Sequence, residues 1–143
     1  MRVRRMRERD ARAVADLSGQ LGYPATAAQI RRRLAMQEKD RDSAALVFED
    51  EEGRIAGWAH VIGRHFLESD PYAELAGLVV DAGARRKGVG RALVTAAEKW
   101  AMGRGYATLR VRSNVKRMEA RPFYEGMGFT ITKSQYVYHK PLK

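Results

Sequence analysis

The chain contains no cysteine. That absence removes disulfides, zinc–thiolate sites, iron–sulfur clusters and a cysteine nucleophile together. Long apolar runs are missing as well: none approaches the ~18 residues that cross a bilayer. Met1 to Arg7 alternates arginine with Val3 and Met6 where a secretory signal would be apolar, so the expectation is a cytoplasmic protein with no membrane partner. There are no repeats, low-complexity tracts or linkers, and 143 residues accommodate one core, so residues 1–143 read as a single domain. The three histidines, His60, His65 and His139, form no metal-ligand spacing, and no metal is expected.

What the chain has in excess is positive charge, 27 Lys and Arg against 17 Asp and Glu, for a net charge of +10. Such a balance suits a polyanionic partner, either nucleic acid or a phosphate-rich small molecule. The distribution is segregated. Residues 1–41 hold 11 basic and 5 acidic side chains, residues 42–82 hold 2 and 9, and residues 83–143 hold 14 and 3. An acidic middle beside a basic C-terminal part argues against one continuous nucleic-acid face. It points instead to one site for an anion and another for a cation.

Periodicity gives the elements. Val3 to Met6 reads as a short strand, and Ala11, Val14, Ala15, Leu17 and Leu21 fall at mostly helical spacing after Asp10, a candidate cap. Thr26 precedes a second helix that places Ile30 and Leu34 on one face. Ser43–Phe48 and Arg54–Ile62 form an expected strand pair around the acidic turn 49–53. Tyr72–Val80 ends in an apolar run, as a strand buried on both faces does. From Gly88 to Met102 the spacing of Val89, Ala92, Leu93, Ala96, Ala97 and Trp100 predicts the clearest helix. Tyr106–Arg112 alternates like a strand, a short helix precedes Gly126–Gly128, and a last strand pair is expected through Tyr138. Pro122 restricts where that short helix begins. The order is β-α-α-β-β-β-α-β-α-β-β, an α/β chain with a mixed sheet and helices on both faces.

Chemistry concentrates in Arg85-Arg86-Lys87-Gly88-Val89-Gly90, between the buried strand and the best helix. Glycines there let the backbone approach a ligand, and the N–H groups opening a helix cradle phosphate oxygens. Arg85, Arg86, Lys87 and Arg91 add full charges. The Lys-Ser/Thr of a P-loop is missing, and so are the third glycine and later acidic residue of a Rossmann turn.

In this context the segment resembles the Arg/Gln-x-x-Gly-x-Gly/Ala pyrophosphate signature of the GNAT superfamily of acetyl-CoA-dependent N-acetyltransferases. Downstream, Ser113-Asn114, Ala120 and Phe123-Tyr124 through Gly128-Phe129 match the pattern of that family's last helix and strand. The resemblance covers nearly the whole chain and implies a mostly antiparallel central sheet. It also implies acetyl-CoA as co-substrate and an amine as acceptor. Arg85, Arg86, Lys87, Gly88, Val89, Gly90 and Arg91 would hold the pyrophosphate. Val79 and Val80 would offer backbone groups to pantetheine, with the Val80 N–H meeting oxyanion charge, and Asn114 would hydrogen-bond the cofactor.

The same resemblance puts Tyr124 where a general acid protonates the leaving thiolate, and Glu74 where some members keep a base for the amine. Each residue also has a plain packing or capping reading. The acidic middle segment favours a small cationic amine or a lysine-like amino group. Alternatives are aminoacylated RNA or a protein as acceptor, a CoA-binding module without catalysis, and a nucleic-acid-binding module. A homodimer is compatible with the sequence.

Overall fold

The computed structural model describes residues 1–143. By their internal contacts the residues form two compact units, Met1–Arg112 and Ser113–Lys143.

In the first unit, strands β1 (Arg2–Arg5), β2 (Ser43–Glu49), β3 (Ile55–Arg64), β4 (Tyr72–Val80) and β5 (Leu109–Val111) form one sheet in sequence order. All neighbours are antiparallel except β4 and β5, which run parallel. The parallel step requires a crossover, and α3 (Val89–Gly103) supplies it. Helices α1 (Ala11–Gln20) and α2 (Ala27–Glu38) connect β1 to β2.

Strand alternation sorts the side chains onto two faces. Val47 and Trp58 are cross-strand partners and join one core with Met6, Val14, Leu34 and Ile30, which is the face covered by α1 and α2. One residue along, Gly57 turns to the opposite face, where an added Cβ would lie 3.0 Å from Leu93 and 3.0 Å from Val89 of α3. Helices therefore cover both faces, as the element order predicts. The buried residues of α3, Val89, Leu93, Val94, Ala97 and Ala101, make the stripe that the sequence periodicity marks.

Thr26, which precedes the second helix in the sequence, caps α2, accepting from the Gln29 N–H while the Gln29 side chain accepts from the Thr26 N–H. Asp10 departs from expectation. Its carboxylate accepts from the Arg7 N–H at 2.7 Å and takes both Arg4 guanidinium nitrogens at 2.9 Å, so it closes the turn before α1 and pairs a buried arginine. Burial alone would push this carboxyl up, but the hydrogen bonds from Arg4 and Arg7 outweigh it and hold it below the ordinary value.

In the second unit, α4 (Ala120–Gly126) is the one helix. Pro122 is its third residue, inside the first turn, where its missing N–H costs no helical bond. The expected strand pair through Tyr138 is absent: residues 130–143 contain neither helix nor strand. Ile131, Tyr136 and Tyr138 carry the β propensity on which that expectation rested, but a strand forms only against a partner, and this unit has none. The strand expected over Tyr106–Arg112 shortens to Leu109–Val111, the residues that pair with β4, because the Tyr106 N–H donates to the Ala101 carbonyl at the end of α3.

Candidate active site

Strand β4 sits between β3 and β5 and is irregular where it matters. Its register with β3 shifts between His60 and Val61, so His60 pairs with Gly77 and Val61 with Leu75, leaving Ala76 as a bulge. Strand β5 pairs only with Ala73, Glu74 and Leu75. Beyond the bulge, the edge of β4 that faces away from β3 therefore has no strand beside it. The Asp81 N–H donates to the Ala56 carbonyl toward β3. Alternation then turns the main-chain groups of Val79 toward β3 and those of Leu78 and Val80 toward the open edge. Of the two valines singled out in the sequence, Val80 offers backbone groups there. Val79 is engaged with its cross-strand partner Trp58.

The chain leaves β4 through a 3-10 turn, Ala82–Ala84, and enters α3. Gly88 has φ +83 and Arg86 φ +65, two left-handed residues that fold the turn back on itself. The first helical bond of α3 runs from the Ala92 N–H to the Gly88 carbonyl, so the N–H groups of Val89, Gly90 and Arg91 are free of helical partners. Arg85, Arg86, Lys87 and Arg91 are exposed, and none of them forms an ion pair or a side-chain hydrogen bond. Free N–H donors, unpaired cations and the positive end of a 15-residue helix converge on one turn. Gln20 braces it from α1: its amide accepts from the Ala82 N–H at 3.0 Å and donates to Asp81 at 2.9 Å.

Glu74 is buried on the α1/α2 face of the sheet. Its carboxylate accepts from Arg64 at 3.0 and 3.3 Å and lies 3.5 Å from the Arg112 guanidinium. On the same face, His60 Nε2 lies 2.9 Å from Ser43 Oγ, and the Ser43 hydroxyl donates to Gln37 Oε1 at 3.1 Å. Burial, and then the Arg64 charge, push the His60 imidazole below its ordinary value against the pull of Asp40 and Glu74. The sequence reading set His60 aside because it sought metal spacing. The signal that matters is a polar ring on a buried strand, which requires partners, and those partners stand 17 and 23 residues away. Among Asp, Glu and His, no group of three gathers as a metal site.

In the second unit, Tyr124 is half-buried in α4, edge-on to Phe123 at 5.1 Å and to Phe129 at 5.6 Å. Burial raises its hydroxyl above the ordinary value, against the nearby Arg117, so the phenol keeps its proton at neutral pH. Asn114 is exposed and caps its own turn, its Oδ1 accepting from the Lys116 N–H at 2.9 Å.

With this geometry in view, comparison with known proteins is decisive. The Acetyltransferase (GNAT) family matches residues 10–129. The chain belongs to that family. An aminoglycoside N(6')-acetyltransferase type 1 of Klebsiella aerogenes is 34% identical over 105 residues, 71% of this chain and 69% of that protein. Among solved structures, an aminoglycoside antibiotic 6'-N-acetyltransferase of Acinetobacter haemolyticus matches all of both chains with a TM-score of 0.85 at 17% identity. An aminoglycoside N-acetyltransferase in complex with CoA matches 96% of this chain and 93% of its own with a TM-score of 0.86 at 20% identity. At those identities the structures establish the fold, and the family match establishes an N-acetyltransferase. Members of the GNAT family use acetyl-CoA and an amine acceptor, and both units contribute to the matched span.

Proposed function

We propose that this acetyltransferase transfers the acetyl group of acetyl-CoA to the primary amine of a small cationic acceptor by direct attack in a ternary complex, with residues 1–143 acting as one domain. The observation that carries the cofactor half is the Arg85–Arg91 turn, where four unpaired cations and three free N–H groups fit a pyrophosphate. The open edge of β4 fits the pantetheine amides, which would pair with Leu78 and Val80 as an added strand does. The N–H groups on that edge can meet the oxyanion that develops on the thioester carbonyl. Tyr124 holds the proton for the leaving thiolate, which would otherwise depart as an anion.

For the acceptor, two observations favour a cation. Glu68 and Asp70, in the loop before β4, are exposed and free of ion pairs, so they supply a negative potential to an incoming ammonium group. The relative from Klebsiella aerogenes, similar over most of both chains, is described as acting on aminoglycosides, which are cationic polyamines. Glu49, Asp50 and Glu52 contribute less to that potential, since Arg2, Arg4 and Arg54 pair with them.

A second reading has one feature in its favour. Arg7, Arg9 and Arg31 line an open cleft of about 470 Å³ with Glu8, which suits a phosphate-bearing acceptor such as aminoacylated RNA. The experiment is a panel of cationic, neutral and anionic amines and aminoacylated RNA, followed by thiol release from acetyl-CoA at low and high salt. Preference for cationic amines supports the first reading. Turnover restricted to RNA, with steep loss in salt, replaces it with the second.

A further inference from the structure

Resting on the acetyltransferase reading above, we propose that His60 Nδ1 is the base that takes the proton from the acceptor ammonium, held in the required tautomer by Ser43 and Gln37.

Three features of the α1/α2 face lead there. The first is the hydrogen-bond chain. Gln37 Oε1 can only accept, so the Ser43 hydroxyl gives it its single proton at 3.1 Å. Ser43 Oγ is then the acceptor for His60 at 2.9 Å, which puts the ring proton on Nε2 and the lone pair on Nδ1. Nδ1 makes no hydrogen bond to the protein. It is also not among the buried unpartnered atoms, so its lone pair is accessible from outside the protein.

The second feature is position. His60 pairs across the sheet with Gly77, the residue next to the Ala76 bulge, where β4 begins its open edge. A strand spacing is ~4.8 Å, beyond a direct hydrogen bond and within the reach of a proton transfer relayed through one water. Gly77 makes room beside it for the Trp58 ring, since an added Cβ would come within 2.7 Å of the indole.

The third feature is the charge around the ring. Asp40 after α2, Arg64 on β3 and Glu74 on β4 face His60, and Ser43 approaches from β2. Glu74, the alternative base, is shared between Arg64 and Arg112. Two guanidinium groups compete for its lone pairs, whereas Nδ1 has no competitor. Burial, reinforced by Arg64, keeps the imidazole neutral at pH 7 and so able to accept a proton.

The step balances as follows. His60 Nδ1 takes one proton from R–NH3+, and the freed nitrogen lone pair bonds to the thioester carbon. The C–S bond breaks with its electron pair on sulfur. Two protons leave the nitrogen, one through the imidazolium and one from the amide nitrogen; one ends on the thiolate and the other is released to solvent, giving R–NH–acetyl, free thiol and one proton.

The test measures kcat/KM for the acceptor against pH, by thiol release, in the wild type, His60→Gln and Glu74→Gln. The expected result is an acid-side decline in the wild type, retained in Glu74→Gln and lost in His60→Gln. His60→Gln should also fall about 100-fold in kcat. Its CoA affinity by calorimetry should stay unchanged, and added imidazole should restore part of the activity of His60→Ala. Independently of any substrate, nitrogen NMR of the wild type should show the Nε2–H tautomer titrating below an ordinary histidine, and Ser43→Ala should abolish that preference. An Nδ1–H tautomer, or a His60→Gln variant with normal kcat and an intact acid-side decline, overturns the assignment. A wild type that binds CoA and acetylates no amine overturns the acetyltransferase reading itself, whatever the tautomer shows.

Discussion

Arg4 and Arg86 are the same residue put to opposite uses. Arg4 is buried, grips both oxygens of Asp10 and reaches Glu49 at 3.3 Å, so its charge is consumed by the fold. Arg86 stands exposed in a left-handed conformation with no anionic partner, beside three more exposed and unpaired cations. Net charge therefore says little about what a basic chain binds. What a ligand can use is the charge that the fold leaves unpaired, and Arg85, Arg86, Lys87 and Arg91 gather such charge where α3 begins.

The largest effect should come from breaking the paired side. Asp10→Ala leaves a buried guanidinium with only Glu49 and a backbone carbonyl, and removes the acceptor for the Arg7 N–H. Loss of one partner of a buried pair costs about 3 kcal/mol, so thermal unfolding should shift down by about 10 °C. The folded fraction should bind CoA as before. The pH sign follows from the lowered carboxyl. Its contribution is complete above the unfolded-state value near 3.9 and is lost as pH falls through the lower folded one. The difference in melting temperature between wild type and Asp10→Ala should thus shrink in strong acid. An equal shift at every pH would mean that Asp10 acts by packing alone.

Gly88→Asp attacks the unpaired side. Open space surrounds Gly88, so the change creates no clash, but φ +83 strains any side chain and a carboxylate repels the anion meant to sit there. CoA affinity should drop on the order of 100-fold, equivalent to about 2.7 kcal/mol, with a loss of stability of about 1 kcal/mol. Unchanged affinity by calorimetry would place the pyrophosphate elsewhere.

Gly57→Ala tests whether the two sides communicate through packing. Its Cβ would sit 2.9 Å from the Val79 carbonyl and 3.0 Å from Val89, the first residue of α3. Backbone cannot yield as a flexible side chain does, so destabilisation of about 2 kcal/mol is expected. A CoA affinity weakened severalfold should accompany it, because the start of α3 must move. Lost stability with unaltered affinity would show the turn to be independent of the sheet beneath it.

Legibility in the sequence divides along the same line. Features set by neighbours along the chain could be read directly. The α3 stripe, the capping by Thr26 and the Gly88 turn depend on spacings of three or four residues, and Pro122 fixes its helix start by local sterics. Features set by distant partners could not. Asp10 reads as a helix cap until Arg4 claims its oxygens. The pairing of Glu74 with Arg64 and Arg112 has no mark in the sequence. His60 gains its meaning from Gln37 and Ser43. Residues 130–143 show the converse, β propensity with no pairing in its own unit. The bulge at Ala76 and the early end of β5 open the edge of β4, yet neither has a sequence mark.

The smallest effect expected separates paired from unpaired charge without any mutation. At 0.01 M salt the screening length is ~30 Å and at 1 M it is ~3 Å, so exposed cations lose their reach over that range while buried pairs are screened far less. CoA binding through Arg85, Arg86, Lys87 and Arg91 should weaken severalfold as salt rises. Arg91→Gln, which removes one of the four exposed charges, should bind a few-fold less tightly at low salt and converge on the wild type at high salt. The stability difference between wild type and Asp10→Ala should hardly move across the same series, because the Arg4 side chain is 9% exposed and that of Asp10 4%. Equal salt sensitivity in the two measurements would break the comparison: it would mean either that the pyrophosphate meets backbone N–H groups with little help from the arginines, or that water reaches the Arg4–Asp10 pair. The Arg91→Gln series decides between them, since only the first leaves that variant indistinguishable from wild type at low salt.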